Sequence, residues 1–149
     1  MERTRRYGGA LSLVIFDVDR FKWINDRFGH STGDTALRAI VTEVKANIRA
    51  HDFLARWGGD EFVILLPGNG IDNARALAEK LREVVAAHAI DQIGAVSCTF
   101  GAAEYAAADC LESLFDRADR ALYAAKRLGR NQVSIATAAL PVPAAAPAS

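Results

Sequence analysis

The chain has 149 residues, enough for one domain with a real core, and its 18 Lys and Arg balance its 18 Asp and Glu. A neutral chain carries no electrostatic footprint for a nucleic-acid polymer, so any phosphate chemistry has to come from local clusters. No apolar run nears the roughly 20 residues of a membrane span, no signal-peptide core follows the basic start at Met1, and two cysteines, Cys98 and Cys110, make neither a disulfide scaffold nor a zinc site, so a soluble cytoplasmic domain without membrane contact is expected.

Leu11 to Phe16 (LSLVIF) is a continuous apolar run rich in β-formers, as befits a central strand buried on both faces. An amphipathic stretch from Phe21 to Phe28 follows and is closed by Gly29. A longer helix is expected to begin near Gly33 or Asp34, because Leu37, Ile40, Val41, Val44 and Ile48 follow the helical repeat. Phe53 to Trp57 and Glu61 to Leu66 are short β-type segments around Gly58-Gly59-Asp60, and a glycine pair there predicts a hairpin whose tight turn uses positive φ. Pro67 and Gly68 break the strand, and Asp72 is a candidate N-cap for a third helix carrying Leu77, Leu81, Val84 and Val85. Ala95 to Phe100 reads as another strand, Leu114 to Ala125 as a last amphipathic helix, and Gln132 to Ile135 as a closing strand. The Ala/Pro-rich residues 137–149 read as a disordered tail. The order predicts an α+β, split βαβ (ferredoxin-like) fold with a mostly antiparallel sheet flanked by helices.

Asp17 and Asp19 end the first strand, which places charge at an edge or a site rather than in the core. Asp60 sits at the hairpin tip beside two glycines that let a phosphate approach the backbone. If the two elements are neighbours, two carboxylates and a backbone carbonyl form a hard oxygen set suited to magnesium, and metal-assisted phosphoryl or nucleotidyl transfer is the matching chemistry. An Asp after a strand is also a common turn former, and a Gly-Gly-Asp turn is also simply a hairpin. The pieces taken singly leave both readings open.

Taken together they resemble a family. WGGDEF at 57–62, DVDRFKWIND at 17–26, GHSTGD at 29–34 and ALYAAKRLGRN at 121–131 are similar, in that order, to the motifs of GGDEF-domain diguanylate cyclases. The resemblance runs from about Leu11 to Ile135 and implies a palm-like fold that condenses two GTP into cyclic di-GMP with Mg2+, or with Mn2+ in its place. It implies that Asp17 and the Val18 carbonyl bind metal, and that Asp60 binds metal and serves as the base for the 3′-hydroxyl. Glu61 is implied in the metal site or in positioning. Lys22 matches a lysine that stabilises phosphate charge in the transition state. Lys126 and Arg130, four apart and so expected on one helical face, match the residues that hold the triphosphate. Asn25 and Asp34 match the pair that reads guanine, although Asp34 is also a candidate N-cap. His30 is given a turn-stabilising role and no chemistry. Arg49 and Asp52, five residues before WGGDEF, resemble the family's product-inhibition site, where an arginine fork and a carboxylate read cyclic di-GMP.

Domains of the family start earlier, with an Asp-x-Leu-Thr-type turn and a helix, and Met1 to Tyr7 resembles only the end of that helix. The expectation is a domain over 1–136 that lacks its N-terminal turn and helix. Each family domain binds one GTP, so the resemblance also implies a homodimer in which two domains face each other. A lone domain pairs poorly, and the alternative reading is a weak or silent module that binds GTP or cyclic di-GMP without turnover.

Overall fold

The computed structural model describes residues 9–136, so the basic start and the expected Ala/Pro tail lie outside the described residues. In chain order the elements are β1 (Leu11–Val18), α1 (Phe21–Phe28), α2 (His30–Ala46), β2 (Phe53–Arg56), β3 (Glu61–Pro67), α3 (Ile71–Ala87), β4 (Ala89–Ile90), β5 (Gly94–Ala95), β6 (Cys98–Glu104), α4 (Leu111–Arg127) and β7 (Val133–Ile135). The main sheet runs β2-β3-β1-β6-β7, and β4 and β5 form a separate small hairpin. β1 is antiparallel to both β3 and β6, β2 to β3, and only β7 runs parallel, to β6.

This topology explains the LSLVIF run. β1 is the central strand, and all eight of its residues are buried. Val14, Phe16 and Val18 face a core shared with α1, α2 and α3, while Leu11, Leu13 and Ile15 pack under α4 on Leu114, Ala118 and Leu122. Phe16 is stacked between Phe62 and Phe100 on its neighbouring strands, at 5.1 and 4.9 Å between ring centroids. The α+β architecture with helices flanking a mostly antiparallel sheet is the one expected. Among the described residues no helix is long and apolar enough to cross a membrane.

Several local expectations are corrected. α2 begins at His30, four residues before Asp34, so Gly29 and not Asp34 occupies its N-cap. Gly70 caps α3 and Asp72 lies in its first turn, where its charge still suits the helix dipole. The orphan Ile71 N–H is met instead by Glu104 Oε1 of β6 at 2.7 Å, a tertiary partner invisible to local pattern. Gly58 and Gly59 do not take positive φ. The last long strand is Cys98–Glu104 and not 95–100, because Val96 and Ser97 form the approach to it.

Candidate active site

The site begins with register. Asp17 is paired directly opposite Glu61 on β3 and Thr99 on β6, and directly opposed residues share a face of the sheet. That is the face covered by α4, and from α4 Lys126 reaches down to ion-pair with Asp17. The hairpin tip is fixed against the end of β1 by a backbone bond from Val18 N–H to Asp60 O at 3.3 Å. The end of β1 and the GGDEF tip are therefore neighbours, as the metal-site reading requires.

The electrostatics agree with that grouping. Burial pushes the Asp17 carboxyl above its ordinary value, Lys126 partly offsets this, and the nearby charges of Asp60 and Asp19 push it further up. Glu61 is also raised, first by burial, then by the carboxylates of Asp119 and Asp17, with Lys126 again opposing. Carboxylates that are buried together in this way favour a cation beside them. Carboxylate oxygens suit a hard divalent ion, and Asp17, Glu61 and Asp60 lie within electrostatic reach of one another; among the described residues no three His, Cys, Asp or Glu side chains are gathered closely enough to enclose an ion by themselves.

The hairpin tip is tied down by hydrogen bonds and a ring contact. Trp57 N–H and Gly58 N–H donate to Glu61 O at 2.7 and 3.2 Å. Arg56 folds back so that its guanidinium donates to Gly58 O and Gly59 O at 2.5–3.2 Å. Trp57 lies against Phe115 of α4, 5.2 Å between ring centroids. Since both glycines have ordinary φ, their value is bareness. A Cβ on Gly59 would meet nothing within 4 Å, so the tip presents open backbone. Nothing in the sequence singles out Arg56, because an arginine before a Gly-Gly turn carries no distinctive spacing.

The expected substrate residues are distributed over α1, α2, α4 and the turn after α4. Lys22 is exposed in the first turn of α1 and makes no ion pair among the described residues. Asn25 lies where α1 crosses α2 so closely that a Cβ on Gly33 would come 1.8 Å from its Oδ1. That oxygen is buried without a hydrogen-bond partner. Asp34, next in sequence to Gly33, is exposed and free of any capping duty. It lines a shallow cleft of about 450 Å³ with Arg38, Arg56 and Phe62.

Lys126 and Arg130 do not share a helical face. α4 ends at Arg127, and the chain closes with Arg130 N–H donating to Ala125 O at 3.2 Å over a left-handed Gly129. Arg130 thus sits on a turn beyond the helix and borders a second cleft of about 410 Å³ at the end of β1.

Arg49 and Asp52 lie away from these groups, in the turn between α2 and β2. Asp52 Oδ2 accepts from Arg49 N–H at 2.9 Å, and Asp52 N–H donates to Arg49 O at 3.0 Å, so the aspartate closes the turn. Its Oδ1 is buried and without a hydrogen-bond partner. Arg49 is exposed beside a cleft of about 240 Å³ that is also lined by Asn69, Asn73 and Lys80. Lys80 drew no attention in the sequence because a lysine on an amphipathic helix is ordinary.

Comparison with known proteins identifies the class. The family described as "Diguanylate cyclase, GGDEF domain" matches residues 1–132. The chain belongs to that family. It is 42% identical over 137 residues to diguanylate cyclase DgcP of Pseudomonas aeruginosa, covering 90% of this chain and 20% of DgcP. To DgcM of Escherichia coli it is 43% identical over 122 residues, 82% of this chain and 30% of DgcM. The chain therefore spans less than a third of either relative. Among solved structures, the active GGEEF domain of a diguanylate cyclase from Vibrio cholerae superposes with a TM-score of 0.87 at 36% identity, covering 91% of this chain and 88% of that one. The GGDEF domain of DgcB from Caulobacter crescentus, solved with c-di-GMP, gives 0.86 at 31% identity, with 90% and 82% covered. The palm-like fold expected from the sequence is the fold of these neighbours.

Proposed function

We propose that this domain is a diguanylate cyclase that condenses two GTP into cyclic di-GMP with release of two pyrophosphates. The observation that carries this reading is the grouping of Asp17, Asp60 and Glu61 at one end of the central strands, with Lys126 as the counter-charge.

In this reading Asp17, Asp60 and the Val18 carbonyl would hold Mg2+, or Mn2+, which would supply charge neutralisation at the phosphates. Asp60, at the bare hairpin tip, accepts the proton of the 3′-hydroxyl, and Glu61 steadies the same edge. Lys22 and Lys126 offer ammonium groups to charge that develops on the phosphates, and Arg130 holds the distal ones. Asn25 and Asp34 read guanine. The exposed, uncommitted Asp34 carboxylate accepts from the N1 and N2 hydrogens of the base. Each domain presents one GTP, and a homodimer of facing domains brings each 3′-hydroxyl to the partner's α-phosphate.

The test is product analysis. Purified protein at high concentration with GTP and Mg2+ is expected to form cyclic di-GMP, resolved by chromatography with mass detection, and Asp60→Ala to form none. If the parent forms none even when fused to a dimerising helix, the cyclase reading fails and a nucleotide-binding module takes its place.

Arg49 and Asp52 are assigned to product restraint, with Asp52 closing the turn that presents the arginine. Arg49→Ala is expected to weaken cyclic di-GMP binding about tenfold or more, measured by calorimetry, with little change in initial rate. Unchanged product affinity would remove the site from the account.

A further inference from the structure

Asp19 lies two residues past Asp17, yet it is not part of the open oxygen cluster. It is 9% exposed, and both of its carboxylate oxygens are taken. Oδ2 accepts from Ser97 Oγ at 2.6 Å and from Asn131 N–H at 3.1 Å, and Oδ1 accepts from Thr99 Oγ1 at 2.6 Å. The Asn131 N–H is shared with Thr99 Oγ1 at 2.9 Å, and Asp19 N–H donates to Ser97 O at 2.9 Å. One carboxylate therefore joins the end of β1, the start of β6 and the turn after α4.

That turn needs the help. Arg130 and Asn131 are consecutive non-glycine residues at φ 64° and 48°, a left-handed conformation that L-residues rarely adopt. Arg20, directly after Asp19, is left-handed too, at φ 57°, where it caps α1. Conformations of this kind persist only when the surroundings over-determine them. Here Asp19 and Thr99 take the Asn131 N–H, Ala125 O takes the Arg130 N–H at 3.2 Å, and Arg82 donates to Asn131 Oδ1 at 3.3 Å. Asp19, Arg20, Ser97, Arg130 and Asn131 then line one cleft, where two arginines offer charge to an anion and the oxygens of the aspartate are already taken by hydrogen bonds.

We infer that Asp19 is a positioning residue for the distal phosphates of GTP, fixing the turn from which Arg130 acts. The inference rests on the assignment of Arg130 to the triphosphate. Asp19 touches no substrate; its carboxylate holds the Asn131 N–H, and through it the Arg130 backbone. An asparagine in its place keeps the size but cannot accept from all three donors at once.

The test compares binding of two probes by calorimetry in the presence of Mg2+: 3′-deoxy-GTP, which lacks the attacking hydroxyl, and GMP, which lacks the distal phosphates. Asp19→Asn is expected to weaken 3′-deoxy-GTP about tenfold and to leave GMP within about twofold. In an Arg130→Ala background Asp19→Asn should cost nothing further, since the two changes remove the same contact. Thr99→Val, which deletes the other acceptor for Asn131 N–H while keeping a β-branched strand residue, is expected to give the same split and serves if Asp19→Asn does not fold. Equal losses for both probes, or effects that multiply independently of Arg130, would reduce Asp19 to a structural role and overturn the inference alone. Unchanged 3′-deoxy-GTP binding in Arg130→Ala by itself would overturn the phosphate assignment and the inference with it.

Discussion

Replacing Asp17 by asparagine is expected to abolish turnover and leave the fold intact or slightly more stable. Asp17 is buried at the end of the central strand, and burial together with Asp60 and Asp19 holds its carboxyl above the ordinary value despite Lys126. For an acid raised in the folded state the sign is definite. Between the unfolded and folded values the native state binds more protons, so stability falls as pH rises through that window, and the ionised group costs stability at neutral pH. Asparagine fills the same space without charge. Lys126 loses its partner but is a third exposed and can be hydrated. Activity should fall by about 1000-fold or more, equivalent to roughly 4 kcal/mol of transition-state stabilisation, while the melting temperature holds or rises. A variant that loses activity only because it melts earlier would contradict this.

Gly101→Ala should act the other way round, attacking the scaffold first and activity only through it. Gly101 lies on β6 where α4 crosses it. A Cβ there would stand 2.3 Å from Leu122 N, 2.4 Å from Ala118 O and 2.7 Å from Leu122 Cα. These are backbone atoms and cannot swing aside, so the whole helix has to lift from the sheet. A loss of about 3 kcal/mol or more is expected, seen as a melting temperature lower by about 10 °C. Because α4 carries Lys126, the protein that remains folded should also be less active. Gly59→Ala is the control: its Cβ meets nothing within 4 Å, and its stability should stay within about 0.5 kcal/mol.

These two positions also show what the sequence made legible. The LSLVIF run announced a strand buried on both faces, and the aspartates that interrupt it announced an edge with chemistry, because burial and charge are strongly opposed along a single strand. The ordered motifs made the family plain. What stayed hidden depends on partners distant in the chain. Gly101 looks like an ordinary weak spot in a strand until α4 is laid over it. Glu104 caps a helix that starts 33 residues before it. Asp19 takes its partners from 78 to 112 residues downstream. Spacing misled at Lys126 and Arg130, since four residues suggest one helical face but the left-handed Gly129 has already ended the helix. It misled at Asp34 as well, where an acidic residue at an expected helix start resembled a cap although the helix began one turn earlier at His30.

If the end of β1 and the hairpin tip form one metal site, metal binding tests it most directly. Mn2+ titrated into the protein with saturating 3′-deoxy-GTP and followed by electron paramagnetic resonance should show protein-bound ion in the parent. Asp17→Asn and Asp60→Ala should each weaken that binding by about tenfold or more. If both variants bind Mn2+ as the parent does, the two carboxylates do not share an ion and the account is wrong at its centre.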